Sequence, residues 1–345
     1  MPSVATVTRL RPRTVAAGLV LLLVSVLAAL LLGAGELGWQ RVLGEIVAQV
    51  TGGTSPLSDR EAAIIWQLRL PRVLVAALVG AALASAGAAF QGVFRNPLAD
   101  PYLLGAAAGA GMAATLVVVF APDVTGWVIG PLPLAAFAGA LAGVGLSWLL
   151  GRSAGGTGTA TLLLAGVAVA AFLTAVQTFA QQLNTDSLKQ VYTWMLGGLN
   201  VSGWQEVWLA LPYTALAGVV LCLCARLLDV LTLGDAEAAA LGVRPGRVRL
   251  VVLLAASLAT AAAVAVSGLI GFVGIVVPHL VRLLAGASYR VIVPMSLIGG
   301  ATFLVVADHI ARTALPGELP LGVVTAFTGA PFFLLVLRTS KGRLT

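Results

Sequence analysis

Residues that could carry out bond chemistry are few in this chain and stand far apart. The only histidines are His279 and His309, and the only cysteines, Cys222 and Cys224, are two positions apart, so on a helix they face different directions. The glycine-rich stretch 151–158 lacks the Gly-Lys-Ser/Thr ending of a phosphate-binding loop. We therefore expect no catalytic site, no resident metal and no cofactor, and any ATP that drives this protein should bind to another chain.

Three arginines are placed where they could recognise an acidic partner. Arg69 and Arg72 flank a proline just before an apolar stretch, and Arg312 follows Asp308 by one helical turn, the favourable order for an i, i+4 pair. Guanidinium groups bind carboxylates in bidentate fashion. The pattern fits either a docking site for an acidic protein or arginines that reach the membrane interface from helix ends.

A second polar region is the segment 228–248. Within it, Asp235 can cap a short helix that runs to Ala240, Glu237 suits the first turn of that helix, and Gly242 suits its end. Such a capped helix is either a plain surface helix or a handle that another protein grips, and the handle is the favoured interpretation.

The elements that must position these residues are membrane helices. Of the 345 residues, 59% are hydrophobic and 10% are charged, which leaves too little polar material for the surface of a soluble protein. Apolar stretches of about twenty residues are long enough to cross a bilayer. Ten spans are predicted, near residues 14–33, 72–92, 103–121, 129–150, 159–181, 205–226, 249–268, 270–285, 290–311 and 319–338. In the eighth, Pro278 predicts a kink or a broken helix.

The distribution of positive charge predicts the orientation. With the N-terminus inside, fourteen of the twenty lysines and arginines fall in inner segments, as the positive-inside rule requires. The net charge of +7 therefore reflects orientation and gives no reason to expect nucleic acid as a partner. The first apolar run could instead be a cleaved signal peptide, but it is long for one, so we expect it to stay as a span.

Several sequence blocks occur in the same order as in a known family. The blocks are Arg69-Leu-Pro-Arg72, the stretch 87–101 with Gln91 and Asn96-Pro97-Leu-Ala, Leu104-Gly-Ala-Ala-Ala-Gly-Ala, Trp194-Met-Leu-Gly-Gly198, Ala240-Leu-Gly-Val243, the stretch 271–282 with Val-Pro278-His279, and the stretch 318–331. From about residue 60 to its end, the chain resembles the FecCD-type permease subunits of bacterial ABC importers for iron chelates, haem and vitamin B12. The resemblance implies an all-α polytopic membrane protein of ten transmembrane helices, the type II ABC importer permease fold.

The resemblance also implies partners. A second permease subunit, usually an identical one, would complete a central pathway, and two cytoplasmic ATPase subunits would grip the segment between the sixth and seventh spans. A substrate-binding protein outside would dock through its own acidic residues on Arg69, Arg72 and Arg312.

By the same resemblance, further residues receive roles. The ATPase-coupling residues would be Asp235, Glu237, Ala240, Leu241, Gly242, Val243 and Arg244. Residues near the pathway or its gate would be Gln91, Asn96, Gln181, Trp194 and Met195.

The expected function is that of a permease subunit of an ABC importer in the bacterial cytoplasmic membrane, with both termini inside and no enzymatic activity of its own. Iron chelates, ferric siderophores or haem, are the expected cargo because that class is the most populous in the family, and cobalamin is the alternative. An ion-coupled secondary transporter is the rival from another class, and it would be expected to carry ionisable relay residues within its spans.

Overall fold

The computed structural model describes residues 9–32, 37–121, 130–153, 159–201, 203–315 and 317–341, so residues 154–158 of the glycine-rich stretch lie outside the described residues. Within these ranges the chain is helical and contains no strand, which confirms the all-α prediction. The helices are α1 (Pro12–Leu31), α2 (Trp39–Thr51), α3 (Asp59–Ala63), α4 (Leu70–Phe94), α5 (Ala106–Phe120), α6 (Pro131–Ser153), α7 (Thr159–Leu183), α8 (Leu188–Met195), α9 (Gln205–Leu231), α10 (Asp235–Ala240), α11 (Pro245–Ser267), α12 (Val273–Leu284), α13 (Tyr289–Thr313) and α14 (Leu321–Lys341). Short 3₁₀ segments occupy Pro101–Leu104 and Thr185–Ser187.

Each of the ten predicted spans overlaps a helix in this structure. Among the described residues, seven helices are long and apolar enough to cross a membrane, and the one that contains α4 runs without interruption from Asp59 to Phe94. Three shorter apolar helices, Ala106–Phe120, Val273–Leu284 and Leu321–Leu334, coincide with the remaining predicted spans. The count of ten crossings therefore stays a prediction.

Helix α4 lies at the centre of the bundle. Nineteen of its 25 residues are buried, and it packs against α9, α11, α12 and α13. A helix that is apolar on every face belongs in an interior. Contacts are close where two glycines face each other, since a Cβ on Gly80 would overlap the carbonyl oxygen of Gly300, and one on Gly87 would overlap Gly274. Close backbone approach of this kind is how helices pack in lipid, where burial gives little driving force.

The peripheral helices present apolar side chains outward. In the most apolar 18-residue stretch of α7, only 22% of the residues are buried, and Leu164, Phe172 and Phe179 of this helix are exposed. Helix α1 is similar, with 17% of the residues in its most apolar 18-residue stretch buried. These surfaces suit contact with lipid or with another membrane-embedded chain.

The break in the eighth predicted span lies before Pro278 and not at it. Helix α12 continues through Pro278 but begins only at Val273, so residues 268–272 are an irregular link from α11. Gly268 and Phe272 both have positive φ angles, which end one helix and start the next. This irregular link, and not the proline, shortens the span.

Tyr102 satisfies the backbone of this link. Its hydroxyl donates a hydrogen bond to the carbonyl oxygen of Ile270 (3.0 Å) and accepts one from the N–H of the same residue (3.2 Å). Ile270 is 1% exposed, so water cannot replace the hydroxyl. Irregular backbone at membrane depth is tolerated where protein satisfies its polar groups, and Tyr102 meets that requirement.

We expect Tyr102→Phe to destabilise the protein, because the substitution leaves both polar groups of Ile270 unpaired at a cost of about 2–4 kcal/mol. The measurement is thermal unfolding of the purified chain in detergent. Tyr213→Phe is the matched control, because the ring of Tyr213 packs on Phe137 at 5.2 Å and the side chain is partly exposed. Equal melting temperatures for the two variants would contradict the role of Tyr102.

Candidate functional site

The entry to α4 is a π-helical segment, Ile64–Arg69, that joins α3 to α4. In a π-helix the carbonyl of Trp66 would accept from residue 71, but Pro71 has no N–H. The indole N–H of Trp204, at the start of α9, donates to that carbonyl instead (3.0 Å). This bond fixes the entry of α4 against α9, and with it the positions of Arg69 and Arg72.

Beyond this entry, four residues form the Asp308 cluster: Arg72, Asp308, Arg312 and Glu318. Arg72 donates to Asp308 Oδ1 through Nε (3.1 Å) and Nη2 (3.0 Å), and it binds Glu318 in bidentate fashion (3.1 and 3.0 Å). Arg312 Nε lies 3.0 Å from Asp308 Oδ2, which confirms the predicted i, i+4 pair. Asp308 is 1% exposed, and a carboxylate so buried requires the two guanidinium groups around it.

The structure brings the three predicted docking arginines to one end of the bundle but does not expose them equally. Arg69 is buried and donates to the carbonyl of Leu30 (3.2 Å), and Arg312 is buried against Asp308. Neither reaches out toward an interface as the snorkelling alternative requires. Of the cluster, Arg72 and Glu318 reach the surface, with side chains 18% and 58% exposed. An incoming protein would meet this pair first.

At the other polar region, the predicted short helix is confirmed with the predicted bounds, Asp235 to Ala240. Gly242 ends it as expected, with φ +80° and its N–H on the carbonyl of Ala239 (2.9 Å). The predicted capping role of Asp235 is wrong, because the N-cap is Gly234 and the carboxylate of Asp235 makes no capping bond. That carboxylate is drawn instead to two arginines.

Asp235, Arg95 and Arg249 form what we call the corner clamp. Asp235 Oδ1 accepts from Arg249 Nη2 (2.5 Å) and from Arg95, whose Nε also donates to the carbonyl of Leu231 at the end of α9 (2.7 Å). Arg95 follows α4 in a left-handed conformation (φ +50°), which turns its side chain across the corner. The clamp thus fastens α10 to the ends of α4, α9 and α11.

The two arginines keep the clamp charged. The hydrogen bond from Arg249, followed by its charge and that of Arg95, lowers the pKa of Asp235 from its ordinary value despite partial burial. Asp235 therefore stays ionised at neutral pH, and the ion pairs persist until well into the acid range.

The remaining residues of α10 and its flank present an apolar surface. Leu241 is 64% exposed and Leu233 is 61% exposed. Glu237, Ala240, Gly242 and Arg244 are also exposed, whereas Val243 packs partly against the core. Two exposed leucines that flank a short helix suit contact with a protein partner.

The predicted pathway residues fall into two groups. Gln91 is buried, donates to the carbonyl of Gly274 (3.1 Å) and accepts from Arg282 (3.2 Å), so it ties α4 to α12. Asn96 is exposed, and its side-chain oxygen accepts from the N–H of Leu98 (3.0 Å) in a turn. These contacts stabilise the end of α4 near the corner clamp.

The second group lies around α7 and α8. Gln181 is buried on α7, Trp194 is half-buried, and Met195 accepts through its sulfur from the amide of Gln177 (3.0 Å). Gln177 is a buried polar residue that sequence reasoning missed; its four-residue spacing from Gln181, which puts both on one face of a largely apolar helix, was the signal that could have found it.

The Trp194–Gly198 motif is a junction of three elements. The N–H of Gly198 donates to the carbonyl of Ser267 at the end of α11 (2.9 Å). The carbonyls of Leu196 and Gly197 accept from the N–H groups of Gly322 and Leu321 at the start of α14 (3.1 and 3.0 Å). The backbone of this motif therefore holds α11 and α14 together.

The histidines form no ion pair and the cysteines no disulfide among the described residues. Cys224 is buried and Cys222 half-buried, and both are free thiols. The ring of His279 packs edge-on against Phe332. Within the described ranges, no group of three His, Cys, Asp or Glu side chains is arranged to hold a metal ion.

Comparison with known protein families identifies the family of this chain. The model of the FecCD transport family matches residues 21–339, nearly the whole chain. The chain belongs to the FecCD transport family. The predicted family is thereby confirmed.

Two relatives of this FecCD-family chain are named as permeases of a cobalamin import system and of a hemin transport system. The cobalamin import system permease protein BtuC of Halobacterium salinarum is 44% identical over 280 residues, which cover 81% of this chain and 74% of the relative. The hemin transport system permease protein HmuU of Yersinia pestis is 41% identical over 289 residues, or 81% and 85% of the two chains.

A solved structure supports the same assignment. A metal-chelate type ABC transporter in an inward-facing conformation aligns with a TM-score of 0.81 and 29% identity, covering 95% of this chain and 100% of that one. The FecCD-family chain is thus a multi-pass membrane permease of an ABC importer complex. These findings favour the importer over the ion-coupled transporter.

Proposed function

We propose that this chain is the permease subunit that moves an iron chelate, ferric siderophore or haem, inward across the bacterial cytoplasmic membrane. The observation that carries the proposal is the FecCD match over residues 21–339. The relative named for hemin transport, at 41% identity, supports an iron cargo. The chain performs no bond chemistry in this proposal, and its partner ATPase subunits hydrolyse ATP.

The proposed assembly contains two copies of this chain, two cytoplasmic ATPase subunits and an external substrate-binding protein, with both termini of each copy in the cytoplasm. Nucleic acid has no place in it. The exposed apolar face of α7 supports a second copy beside this helix. Gln181, Trp194 and Met195 would then border the pathway, and Gln91 and Asn96 would support the gate from the end of α4.

Coupling to ATP would pass through α10. The ATPase would contact the exposed leucines on either side of α10, Leu233 and Leu241, with Glu237, Ala240, Gly242 and Arg244 around them. A push on α10 reaches α4 and α11 together, because the Asp235 carboxylate is bonded to arginines of both. The motion of a short helix would thereby become a tilt of membrane helices, a rigid-body change of the kind transporters use.

Docking of the binding protein would use Arg72 through an exchange of ion pairs. Arg69 and Arg312 are buried and would support the site from beneath, whereas Arg72 is bound to the exposed carboxylate of Glu318. A carboxylate from the binding protein would replace Glu318 as the partner of Arg72. Exposed ion pairs contribute little on their own, so the exchange costs little.

Cobalamin is the second candidate cargo. The observation that favours it is the 44% identity to a cobalamin import permease. Cobalamin and haem are both large metal complexes of a tetrapyrrole-type macrocycle, so the same permease architecture suits either.

For coupling, we expect Asp235→Asn to lower ATP-driven uptake on the order of tenfold, because the neutral side chain no longer holds Arg95 and Arg249. Uptake is measured with the reconstituted importer, alongside a pull-down that reports ATPase assembly. Arg226→Gln removes an exposed charge on α9 without touching the clamp and should transport normally. Wild-type uptake in Asp235→Asn would exclude the clamp from coupling.

For docking, the exchange predicts opposite effects of two substitutions. Arg72→Gln should weaken binding of the substrate-binding protein roughly fivefold, whereas Glu318→Gln should strengthen it, because Arg72 no longer has to leave a carboxylate. Titration of the binding protein onto the purified permease gives both Kd values. Arg60→Gln, an exposed arginine at the same end, is the control. If both cluster variants weakened binding equally, the exchange would be wrong.

For cargo, vesicles that contain the complete importer should take up a ferric siderophore or haemin only when ATP is present on the side of the membrane that the ATPase subunits face. The assay compares these compounds with cyanocobalamin, each presented on the binding protein. Uptake of cyanocobalamin alone would overturn the iron cargo and leave the importer intact. Uptake driven by a proton gradient without ATP would overturn the importer itself.

A further inference from the structure

A groove of about 250 Å³ opens where α6 ends and α7 and α11 begin. It lies beside the corner clamp and away from the Asp308 cluster. The residues that line it are Trp148, Arg152, Leu162, Gly246, Arg247, Arg249 and Leu250. Three arginines in one groove at a helix-bundle end call for an anionic occupant.

The charge of the groove is incompletely balanced within the described part of the chain. Asp235 is the carboxylate bonded to Arg249, and Asp235 is shared with Arg95. Arg249 is 6% exposed, and its Nε is buried without a hydrogen-bond partner among the described residues. A buried guanidinium N–H without a partner is costly, so an acceptor supplied from the groove would stabilise the protein.

The surface that continues from the groove is apolar. Leu250 and Leu254 on α11 are 37% and 60% exposed, and Leu149 on α6 is 64% exposed. Trp148 lines the groove together with the arginines, and tryptophan is enriched at membrane interfaces. Exposed leucines next to a basic groove match a phospholipid, whose acyl chains would contact the leucines and whose phosphate would lie in the groove.

We propose that this groove binds the headgroup phosphate of an anionic phospholipid such as phosphatidylglycerol, with its acyl chains along Leu149 and Leu254. Guanidinium groups bind phosphate in bidentate fashion, and basic pockets between helices at the cytoplasmic side select anionic lipids. The inference does not depend on the cargo. Because Arg249 also holds Asp235, the lipid would rest on the same guanidinium that anchors α10.

The test uses the purified full-length chain and native mass spectrometry, with phosphatidylglycerol or phosphatidylcholine added at equal concentration. Phosphatidylglycerol should be retained preferentially. The double variant Arg152→Gln/Arg247→Gln, which leaves Arg249 and the clamp intact, should lower that affinity about fivefold per arginine. Arg13→Gln/Arg226→Gln removes two exposed arginines that do not line the groove and should bind as the wild type does.

Further arms separate charge from folding and lipid from free anion. Arg152→Lys/Arg247→Lys keeps both charges and should retain most of the phosphatidylglycerol binding. That result would show that the glutamine variant loses binding through its lost charge and not through misfolding. Equal retention of phosphatidylcholine, or wild-type affinity in the double glutamine variant, would overturn the proposal. Thermal stabilisation by inorganic phosphate as large as that by phosphatidylglycerol would assign the groove to a free anion and also overturn it.

Discussion

Close packing of small residues around α4 is the constraint on which the rest of the structure depends. In lipid the hydrophobic effect does not drive helices together, so their association depends on van der Waals contacts, which require close packing. Glycine pairs such as Gly80 with Gly300 allow this, and they leave no room for even one methyl group. The polar elements at either end are precise because the helix between them is held on all sides.

Several polar groups within this frame are paired by side chains from other parts of the chain. Tyr102 hydrogen-bonds both backbone groups of Ile270, and Trp204 donates to the carbonyl of Trp66, to which Pro71 cannot donate because it has no N–H. Asp308 lies between two guanidinium groups. Such pairing stabilises an irregular link, a π-helical entry and a buried ion-pair cluster.

Local signals made some of these features predictable. Helix α10 follows from Gly242 and the residues before it, and the Asp308–Arg312 pair follows from i, i+4 spacing. The family followed from blocks such as Val-Pro278-His279. Partnerships between distant residues could not be read in this way. Nothing near Arg72 indicates that Glu318 binds it, and nothing near Asp235 indicates that Arg95 and Arg249 draw its carboxylate from the cap. Pro278 does not break its helix, because the link six to ten residues earlier decides where the helix begins.

Arg72 and Arg95 stand at the two ends of one unbroken helix. They are 23 residues apart, a separation of about 35 Å at the usual helical rise. A helix of this length that is packed on every side bends little, so a displacement at one end would be transmitted to the other. In the proposed importer, this single helix would connect the surface where the binding protein docks to the surface that the ATPase contacts, with no relay of side chains needed between them.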